Sequence, residues 1–228
     1  MIIAHRGVHN NKDIPENSLK AFKKALDKNY AIEFDIEITK DDKLVIHHDD
    51  NILRMTGINK KIEDMTFDEV RDLKLLKTDQ VIPTFKEILD LVNGKVLLDI
   101  EIKTTKKVDK ITTLVLEELK NYNGSLLLKS FDPFIVKALK KKTNKYKIGL
   151  LIMRNSPNKK LNFLVKTNLI YLFKPDFIAV HKKMLNEKYY NKMIKKYPMY
   201  AWTFNGLIEA EDYLKKYPKI TCTCNDLD

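Results

Sequence analysis

Short apolar runs rich in β-branched residues alternate with longer amphipathic segments, and this alternation limits the folds that the chain can adopt. The apolar runs have the length and composition of strands: Ile2–Ala4, Ala31–Thr39, Val96–Ile102, Leu126–Ser130, Ile148–Ile152, Phe177–Val180, Met199–Thr203 and Ile220–Thr223. The segments between them predict helices: Ser18–Asn29, Thr84–Val92, Val108–Tyr122, Pro133–Lys142, Lys159–Thr167, Glu187–Lys196 and Leu207–Tyr217. Such alternation indicates parallel strands joined by right-handed crossovers. Eight strands in one α/β unit favour a TIM (β/α)8 barrel over a doubly wound sheet, since no G-x-G-x-x-G follows any strand.

The spacing of these elements also predicts the domain organisation. With 228 residues, only six Gly and seven Pro, and no Ser/Gly/Pro-rich hinge, the chain fits a single domain over residues 1–228. The alternation is interrupted because Leu44–His47 extends the second strand and a charged stretch follows it. We therefore expect a small insertion at about residues 48–82 after the second strand. Few residues follow the last strand, so a truncated or absent last helix is expected.

The charge balance restricts the partners of the chain. The formal net charge is +11, but only four of the 42 basic residues are arginine, the side chain that nucleic-acid readers favour. We therefore expect no nucleic-acid partner, and a positive field that suits a small anionic substrate.

No run of ~18 apolar residues and no signal-peptide pattern is present, which predicts no transmembrane segment and a cytoplasmic location. The oligomeric state is open, and Cys222 and Cys224 are expected to be small buried apolar residues.

Two of the predicted strands carry carboxylates on one face. Side chains alternate along a strand, so Glu33, Asp35 and Glu37 share a face, and Asp99 and Glu101 repeat the pattern in the next long strand. Carboxylates on one face of a central strand are costly to bury unless something compensates their charge. Two such strands side by side suggest a hard cation with oxygen ligands. The alternative is a half-solvated edge strand or a buried ion-pair network with lysine.

Histidines follow the ends of two predicted strands. His5 ends the first strand, and His47 and His48 end the extension of the second, which is where barrel active sites are built. Two such histidines near a metal suit general base and general acid at neutral pH. Arg6 and Lys103 supply fixed positive charge that can hold a phosphate. The other histidines, His9 and His181, are expected to be structural, although His181 also follows a strand and could line the mouth.

Several short motifs occur in a fixed order along the chain: IIAHRG (2–7), PENS (15–18), EFDIEITKD (33–41), VIHHDDNILRMTG (45–57), IPTFKEILDL (82–91), LDIEIK (98–103), SF (130–131) and AWTFN (201–205). In order and spacing they resemble the motifs of the glycerophosphodiester phosphodiesterase family, over residues 2–205. The resemblance implies a barrel of the phosphatidylinositol-phospholipase-C type with a family insertion after the second strand.

The resemblance also implies the site residues. It implies one divalent metal ion, Mg, Ca or Mn, with three carboxylate ligands: Glu33, Asp35 and Glu101. It implies two catalytic histidines, His5 and His48, and leaves His47 as a bystander. It places Arg6 and Lys103 on the phosphate and Trp202 in the substrate pocket beside the glycerol. Glu16 and Asn17 are expected to be scaffold, with Asn17 as the N-cap of the helix that begins at Ser18.

The reaction implied by this resemblance is metal-dependent hydrolysis of glycerophosphodiesters to sn-glycerol 3-phosphate and an alcohol. The two histidines act as general acid and base, and the reaction passes through a cyclic phosphate. The alcohol of the substrate and the metal are open. Other possibilities are a lyase of the sphingomyelinase-D type acting on lysophospholipids, a phosphatidylinositol-specific phospholipase C, and an inactive barrel that binds phosphorylated ligands.

Overall fold

The computed structural model describes residues 1–153 and 172–227, and its strands follow the predicted alternation. In chain order they are β1 (Ile2–His5), β2 (Ala31–Ile38), β3 (Leu44–Ile46), β4 (Leu98–Ile102), β5 (Leu126–Ser130), β6 (Lys147–Ile152), β7 (Phe177–His181), β8 (Met199–Asn205) and β9 (Ile220–Asn225). All of them except β3 pair in parallel, and β1 closes the sheet by pairing with both β2 and β9. The TIM barrel expected from the sequence is therefore confirmed.

Helices connect the strands on the outside of the barrel. The longer ones among the described residues are Leu19–Asp27, Phe85–Val92, Val108–Glu118, Pro133–Lys142, Glu187–Met193 and Gly206–Lys216. Short 3-10 turns lie at Leu119–Asn121 and Lys182–Met184. The predicted helix Lys159–Thr167 lies outside the described residues. Within the described ranges, no helix combines the length and the apolar character needed to cross a bilayer.

The first helix begins one residue later than expected, because its cap differs from the expected one. Ser18 is the N-cap, and its side chain accepts a hydrogen bond from the Ala21 backbone N–H. The Asn17 side chain instead donates to Oδ2 of Asp35 at 3.0 Å. The expectation that Asn17 caps this helix is therefore wrong. Ser18 meets the same need, since a hydroxyl oxygen satisfies an otherwise unpaired N–H of the first turn.

Strand β2 shows how both faces of a barrel strand are buried. Phe34 faces the helical layer, where its ring lies 5.7 Å from the ring of Phe22 and 6.1 Å from that of Phe85. The alternate residues Glu33 and Asp35 are also buried, at 3% and 1% exposure. Since the Phe34 face packs against helices, these carboxylates face the barrel interior. The strand thus places polar groups where their burial requires specific partners.

The insertion after β3 is compact. It contains the short helices Leu53–Thr56 and Phe67–Arg71 and the 3-10 turns Ile62–Asp64 and Leu75–Lys77. A small apolar cluster of its own holds it together: Val45, Ile52, Met55, Ile62, Met65, Val70, Leu75 and Ile82. This cluster is separate from the main core between the barrel and the helices. Its packing fixes the path of the chain that leaves β3 beside the mouth of the barrel.

Strand β3 extends the wall of the barrel on one side. β1 pairs with the first half of β2 and ends where His5 lies opposite Glu33. β3 pairs antiparallel with the second half of the same strand. The chain after β3 then runs back along β2, and the His47 backbone N–H donates to the Asp35 carbonyl oxygen. The antiparallel return of β3 therefore delivers the two histidines that follow it to the level of the inward carboxylates.

Candidate active site

Three buried carboxylates come together at the mouth of the barrel. The register of β2 and β4 places Asp35 beside Glu101. One oxygen of each of Glu33, Asp35 and Glu101 lies within 4.8 Å of the others. Three carboxylate oxygens at such spacing are the donor set that a hard divalent cation prefers. The residues present therefore fit a divalent metal ion.

A buried lysine lies next to this cluster. Nζ of Lys129, on β5, is 2.6 Å from Oδ2 of Asp99 and 3.2 Å from Oε1 of Glu33. Asp99 therefore forms an ion pair and lies outside the three-carboxylate cluster. Burial raises the pKa of Glu33 to about 8, although the charge of Lys129 opposes the shift. The nearby positive charge thus does not fully offset the cost of burying this carboxylate.

Asp35 has partners on several sides. Nζ of Lys103 is 3.6 Å from its Oδ1, and Nε of Arg6 is 3.8 Å from its Oδ2, which also accepts the Asn17 hydrogen bond. Burial alone would raise the pKa of Asp35, but the charges of Lys103 and Arg6, the nearby His48 ring and the hydrogen bond from Asn17 outweigh it and lower the pKa. Asp35 is therefore ionised at neutral pH. The ion-pair network with lysine that the sequence leaves open surrounds the same carboxylates that fit a metal.

The turn after β1 directs a backbone donor at the cluster. Arg6 and Gly7 are in the left-handed region, with φ of 55° and 80°. In this turn the Arg6 N–H donates to Oε2 of Glu33 at 3.2 Å. A Cβ atom on Gly7 would lie 2.8 Å from the carbonyl carbon of Ala21, so only glycine fits here. The glycine of the HRG motif thus lets the chain turn closely enough for Arg6 to reach the cluster.

Arg6 and Lys103, which the resemblance places on a phosphate, both lie beside carboxylates. Nη1 of Arg6 donates to Oε1 of Glu16 at 2.6 Å, and Nζ of Lys103 lies 3.0 Å from Oε1 of Glu101. Burial alone would lower the pKa of Lys103, but Glu101 and Asp35 raise it above its ordinary value. Both side chains are therefore cationic beside these carboxylates.

His5 is oriented by a residue at the opposite end of the chain. Its Nδ1 lies 2.6 Å from the side-chain oxygen of Asn225, so Nδ1 donates the hydrogen bond. Its other nitrogen, Nε2, is 3.9 Å from Oε2 of Glu33. Burial, together with the charge of Arg6, lowers the pKa of His5 to about 3. The ring is therefore neutral at neutral pH, with the lone pair of Nε2 on the carboxylate side.

The two adjacent histidines after β3 have different surroundings. His48 keeps 33% of its side chain exposed, and its Nδ1 lies 2.7 Å from Oδ1 of Asp49. His47 is only 3% exposed, and its Nδ1 lies 3.0 Å from Oε1 of Glu37. The structure thus separates the pair: His48 reaches the open mouth, and His47 is buried against a carboxylate outside the three-carboxylate cluster.

Trp202 lies on the far side of the mouth, on β8. Its ring stands edge-on to the rings of Phe131 at 5.5 Å and His181 at 5.0 Å. Its Nε1 is buried without a hydrogen-bond partner among the described residues. An unpaired buried indole N–H is costly, so this donor is available to a ligand. His181 packs against Trp202, and its Nδ1 accepts a hydrogen bond from the Lys183 N–H at the start of the turn Lys182–Met184.

Sequence reasoning did not find every residue of this site. Asn225 gives no signal beyond its place at the end of the last strand. Lys129 gives one, because a lysine interrupts the apolar run LLLKS in a central strand. Glu16 was expected to be scaffold, and it accepts hydrogen bonds from both Arg6 and Arg54. Only the folded chain brings these residues next to the carboxylates.

Comparison with known proteins agrees over most of the chain. A sequence model of the glycerophosphoryl diester phosphodiesterase family matches residues 5–224. A protein named glycerophosphodiester phosphodiesterase, from Caldanaerobacter subterraneus subsp. tengcongensis, is 33% identical over 162 residues, which are 66% of this chain and 66% of that protein.

Solved structures give the same result for the fold. A phosphodiesterase from Oleispira antarctica, in complex with the product sn-glycerol-3-phosphate, superposes with a TM-score of 0.83 at 19% identity, over 98% of this chain and 92% of that one. A glycerophosphodiester phosphodiesterase from Thermotoga maritima superposes with a TM-score of 0.72 at 26% identity, over 97% and 93% of the two chains.

Proposed function

This chain belongs to the glycerophosphoryl diester phosphodiesterase family, and from that premise we propose that it hydrolyses glycerophosphodiesters to sn-glycerol 3-phosphate and an alcohol. The observation that carries the proposal is the cluster of Glu33, Asp35 and Glu101 with histidines on two sides. Nε2 of His5 lies 3.9 Å from Oε2 of Glu33, and the backbone N–H of His47, the residue before His48, donates to the carbonyl oxygen of Asp35. A small phosphodiester bound at the cluster would contact both imidazoles.

Glu33, Asp35 and Glu101 would hold one divalent ion, and Mg, Ca and Mn all accept such oxygen ligands. The ion, when bound, supplies positive charge for a phosphate oxygen and lowers the pKa of a coordinated hydroxyl. Arg6 and Lys103 then bind the remaining phosphate oxygens, since both cations already lie beside the carboxylates.

His5 acts as the base and His48 as the acid in the first step. Nδ1 of His5 is occupied by Asn225, so Nε2 takes the proton of the attacking hydroxyl. Nδ1 of His48 is occupied by Asp49, so its Nε2 gives a proton to the leaving alcohol. The assignment of base and acid follows the family resemblance. The His5 ring is neutral at neutral pH, so the lone pair of Nε2 can accept that proton.

The attacking group is the 2-hydroxyl of the glycerol. Its oxygen forms a new bond to phosphorus and closes a five-membered ring, while the bond from phosphorus to the alcohol oxygen breaks. A well-oriented intramolecular nucleophile has an effective molarity on the order of 10⁵ M or more, which water lacks. Water then opens the cyclic phosphate, with the histidines in exchanged roles, and sn-glycerol 3-phosphate is released. Trp202 lines the glycerol side of the pocket.

Product analysis tests the reaction. Glycerophosphocholine and glycerophosphoethanolamine are incubated with the protein and Mg²⁺, Ca²⁺ or Mn²⁺, and the phosphorylated products are identified by ³¹P NMR. We expect sn-glycerol 3-phosphate and the free alcohol. Phosphocholine with free glycerol would place the cleavage at the other ester bond and overturn the proposal.

A substrate analogue tests the nucleophile. In this analogue propane-1,3-diol replaces glycerol, so the 2-hydroxyl is missing while the phosphodiester is intact. We expect its turnover to fall by several orders of magnitude, because the advantage of intramolecular attack is lost, while it still competes with glycerophosphocholine. Turnover near that of glycerophosphocholine would show direct attack by water.

A further inference from the structure

Arg54 connects two acids that come from different parts of the chain. It lies in the insertion, on the short helix Leu53–Thr56. Its Nε and Nη2 donate to the two oxygens of Asp49 at 2.6 Å and 3.1 Å. Its Nη1 and Nη2 donate to the two oxygens of Glu16 at 3.0 Å and 2.6 Å. One guanidinium therefore makes bidentate contacts with two carboxylates at once.

Each of these acids leads to a residue of the proposed site. Oδ1 of Asp49 accepts the hydrogen bond from Nδ1 of His48, and Oε1 of Glu16 accepts one from Arg6. A continuous chain of hydrogen bonds thus runs from the imidazole of His48 through Arg54 to the guanidinium of Arg6. Arg54 itself lies outside the three-carboxylate cluster, and nothing in the proposed reaction uses it.

We propose that Arg54 is a positioning residue, which fixes the plane of the Asp49 carboxylate and through it the orientation and tautomer of His48. The inference rests on the proposed function, since it concerns the ring assigned as the acid. Asp49 directly follows His48 in the chain, and 26% of its side chain is exposed. Without Arg54, the Asp49 carboxylate is free to turn toward water, and its hydrogen bond with Nδ1–H of His48 is lost.

The tautomer follows from the chemistry of the pair. Burial alone would raise the pKa of Asp49, but the hydrogen bonds from Arg54 and His48 outweigh it and lower the pKa to about 2. An ionised carboxylate only accepts hydrogen bonds, so Nδ1 of His48 must carry a proton. Nε2 has no hydrogen-bond partner in the part of the chain that the structure describes, and it is left for proton exchange with the substrate.

Geometry, rather than charge, gives Arg54 this role. Its side chain is 45% exposed, and attraction between exposed charges is weakened by water and salt. The directional effect remains, because a planar guanidinium donates its hydrogen bonds in fixed directions and aligns two carboxylates in one plane. A lysine has one ammonium group and cannot make both pairs of parallel bonds. The conservative variant Arg54→Lys should therefore behave like Arg54→Met.

The chain offers a matched control in Arg71. Nη1 and Nη2 of Arg71 donate to the two oxygens of Glu87 at 3.0 Å and 2.9 Å, so this pair is also bidentate. Glu87 belongs to the capping box of the helix Phe85–Val92 and has no contact with His48 among the described residues. Arg71→Met thus removes a bidentate ion pair of the same kind, together with a hydrogen bond to the Ile82 carbonyl oxygen, without reaching the proposed site.

Two readouts test the inference. The first is the ¹⁵N spectrum of histidine-labelled, metal-free protein, in which the signals of His48 are identified from their loss in His48→Gln. We expect the Nδ1–H form in the wild type and in Arg71→Met, and a mixture of tautomers in Arg54→Lys and Arg54→Met.

The second readout is steady-state kinetics with glycerophosphocholine. We expect kcat to fall ~10–100-fold in both Arg54 variants, the range for partners that orient a functional side chain, with a smaller change in KM.

Each result decides one question. A wild-type His48 spectrum in both Arg54 variants overturns the inference, and so does full rescue by Arg54→Lys, which would reduce the role to charge. If Arg54→Met does not fold, Arg54→Lys decides by itself. If His48→Gln keeps wild-type turnover, the proposed acid is wrong, and the spectrum still shows whether Arg54 orients that ring. The two proposals can therefore fail separately.

Discussion

The three carboxylates of strand β2 have different partners at the barrel mouth. Glu33 and Asp35 join Glu101 in one cluster, whereas Glu37 pairs with the buried His47. Residues two positions apart on β2 point the same way but lie at different heights in the barrel, so they meet different neighbours. The partners of each carboxylate therefore depend on its height in the barrel.

The first prediction concerns the proposed metal ligands. Glu33→Gln, Asp35→Asn and Glu101→Gln should each weaken Mg²⁺, Ca²⁺ or Mn²⁺ binding by more than the ~10–100-fold loss typical of residues that only orient a ligand. Isothermal titration calorimetry measures this affinity, and chelation should abolish turnover. Glu37→Gln, which removes a charge from the same face of the strand, is the control and should bind the metal as the wild type does. Full activity in metal-free protein, confirmed by elemental analysis, would contradict the prediction.

The second prediction separates neighbouring histidines. His5→Ala and His48→Ala should each lower kcat by at least ~10²-fold, the lower range for a lost general acid or base. His47→Ala should cost little kcat, because His47 is buried against Glu37 and away from the mouth. The measurement is kcat with saturating glycerophosphocholine. An inactive His47→Ala with an active His48→Ala would show that the wrong residue of the pair was assigned.

At the scale of elements, β2, β4 and β5 share one buried ion-pair system. Lys129 of β5 reaches Asp99 of β4 and Glu33 of β2. Three adjacent strands are thus connected through side chains as well as through their backbone ladders. Burying these charges requires close pairing, since an ion in the interior loses its hydration.

The third prediction follows from this pairing. Lys129→Met leaves Asp99 and Glu33 without their buried cation and should lower the free energy of unfolding by ~3–5 kcal/mol. Urea denaturation of metal-free protein measures it. The double variant Asp99→Asn/Lys129→Met removes both charges of the closest pair and should recover part of the loss. A single variant as stable as the wild type would show that the pair contributes nothing to stability.

At the scale of the whole molecule, Glu16 joins the loop after β1 to the insertion after β3. Only 5% of its side chain is exposed, and it holds Arg6 and Arg54 together. Burial alone would raise the pKa of Glu16, but the hydrogen bond from Arg54 and the charges of both arginines hold it well below its usual range. A carboxylate whose pKa is lowered by folding stabilises the fold above its unfolded pKa. The stabilisation is lost as the pH falls through the folded pKa.

The fourth prediction is a pH dependence of stability. Glu16→Gln should lower the free energy of unfolding at pH 7 by about 1–3 kcal/mol, the range for hydrogen bonds to charged groups. The difference from the wild type should shrink as the pH falls below the unfolded pKa of about 4.5, because Glu16 then takes up a proton in the unfolded chain while the folded carboxylate, with its lowered pKa, stays ionised. Urea titrations at pH 7 and at acid pH measure it, with the exposed Glu117→Gln as control. A difference that stays constant with pH would contradict this account.

The sequence by itself determines the barrel and the identity of its carboxylate strands. Alternation of short apolar runs with amphipathic helices leaves few other folds for an α/β chain. A carboxylate at every second position of β2 already places Glu33 and Asp35 on one face. The motifs around His5 and His48 follow from order and spacing along the chain, which the sequence displays directly.

Tertiary structure alone decides which of these groups act together. Strand register places Asp35 opposite Glu101, and Asp99 forms its ion pair with Lys129. A shift of the register by one residue would change every one of these pairs. The antiparallel return of β3 brings His47 and His48 to the level of Asp35, and closure of the barrel brings Asn225 to His5 across 220 positions of sequence. These contacts join residues far apart along the chain, and no local pattern encodes them, because side-chain partners are set by how the strands align in space.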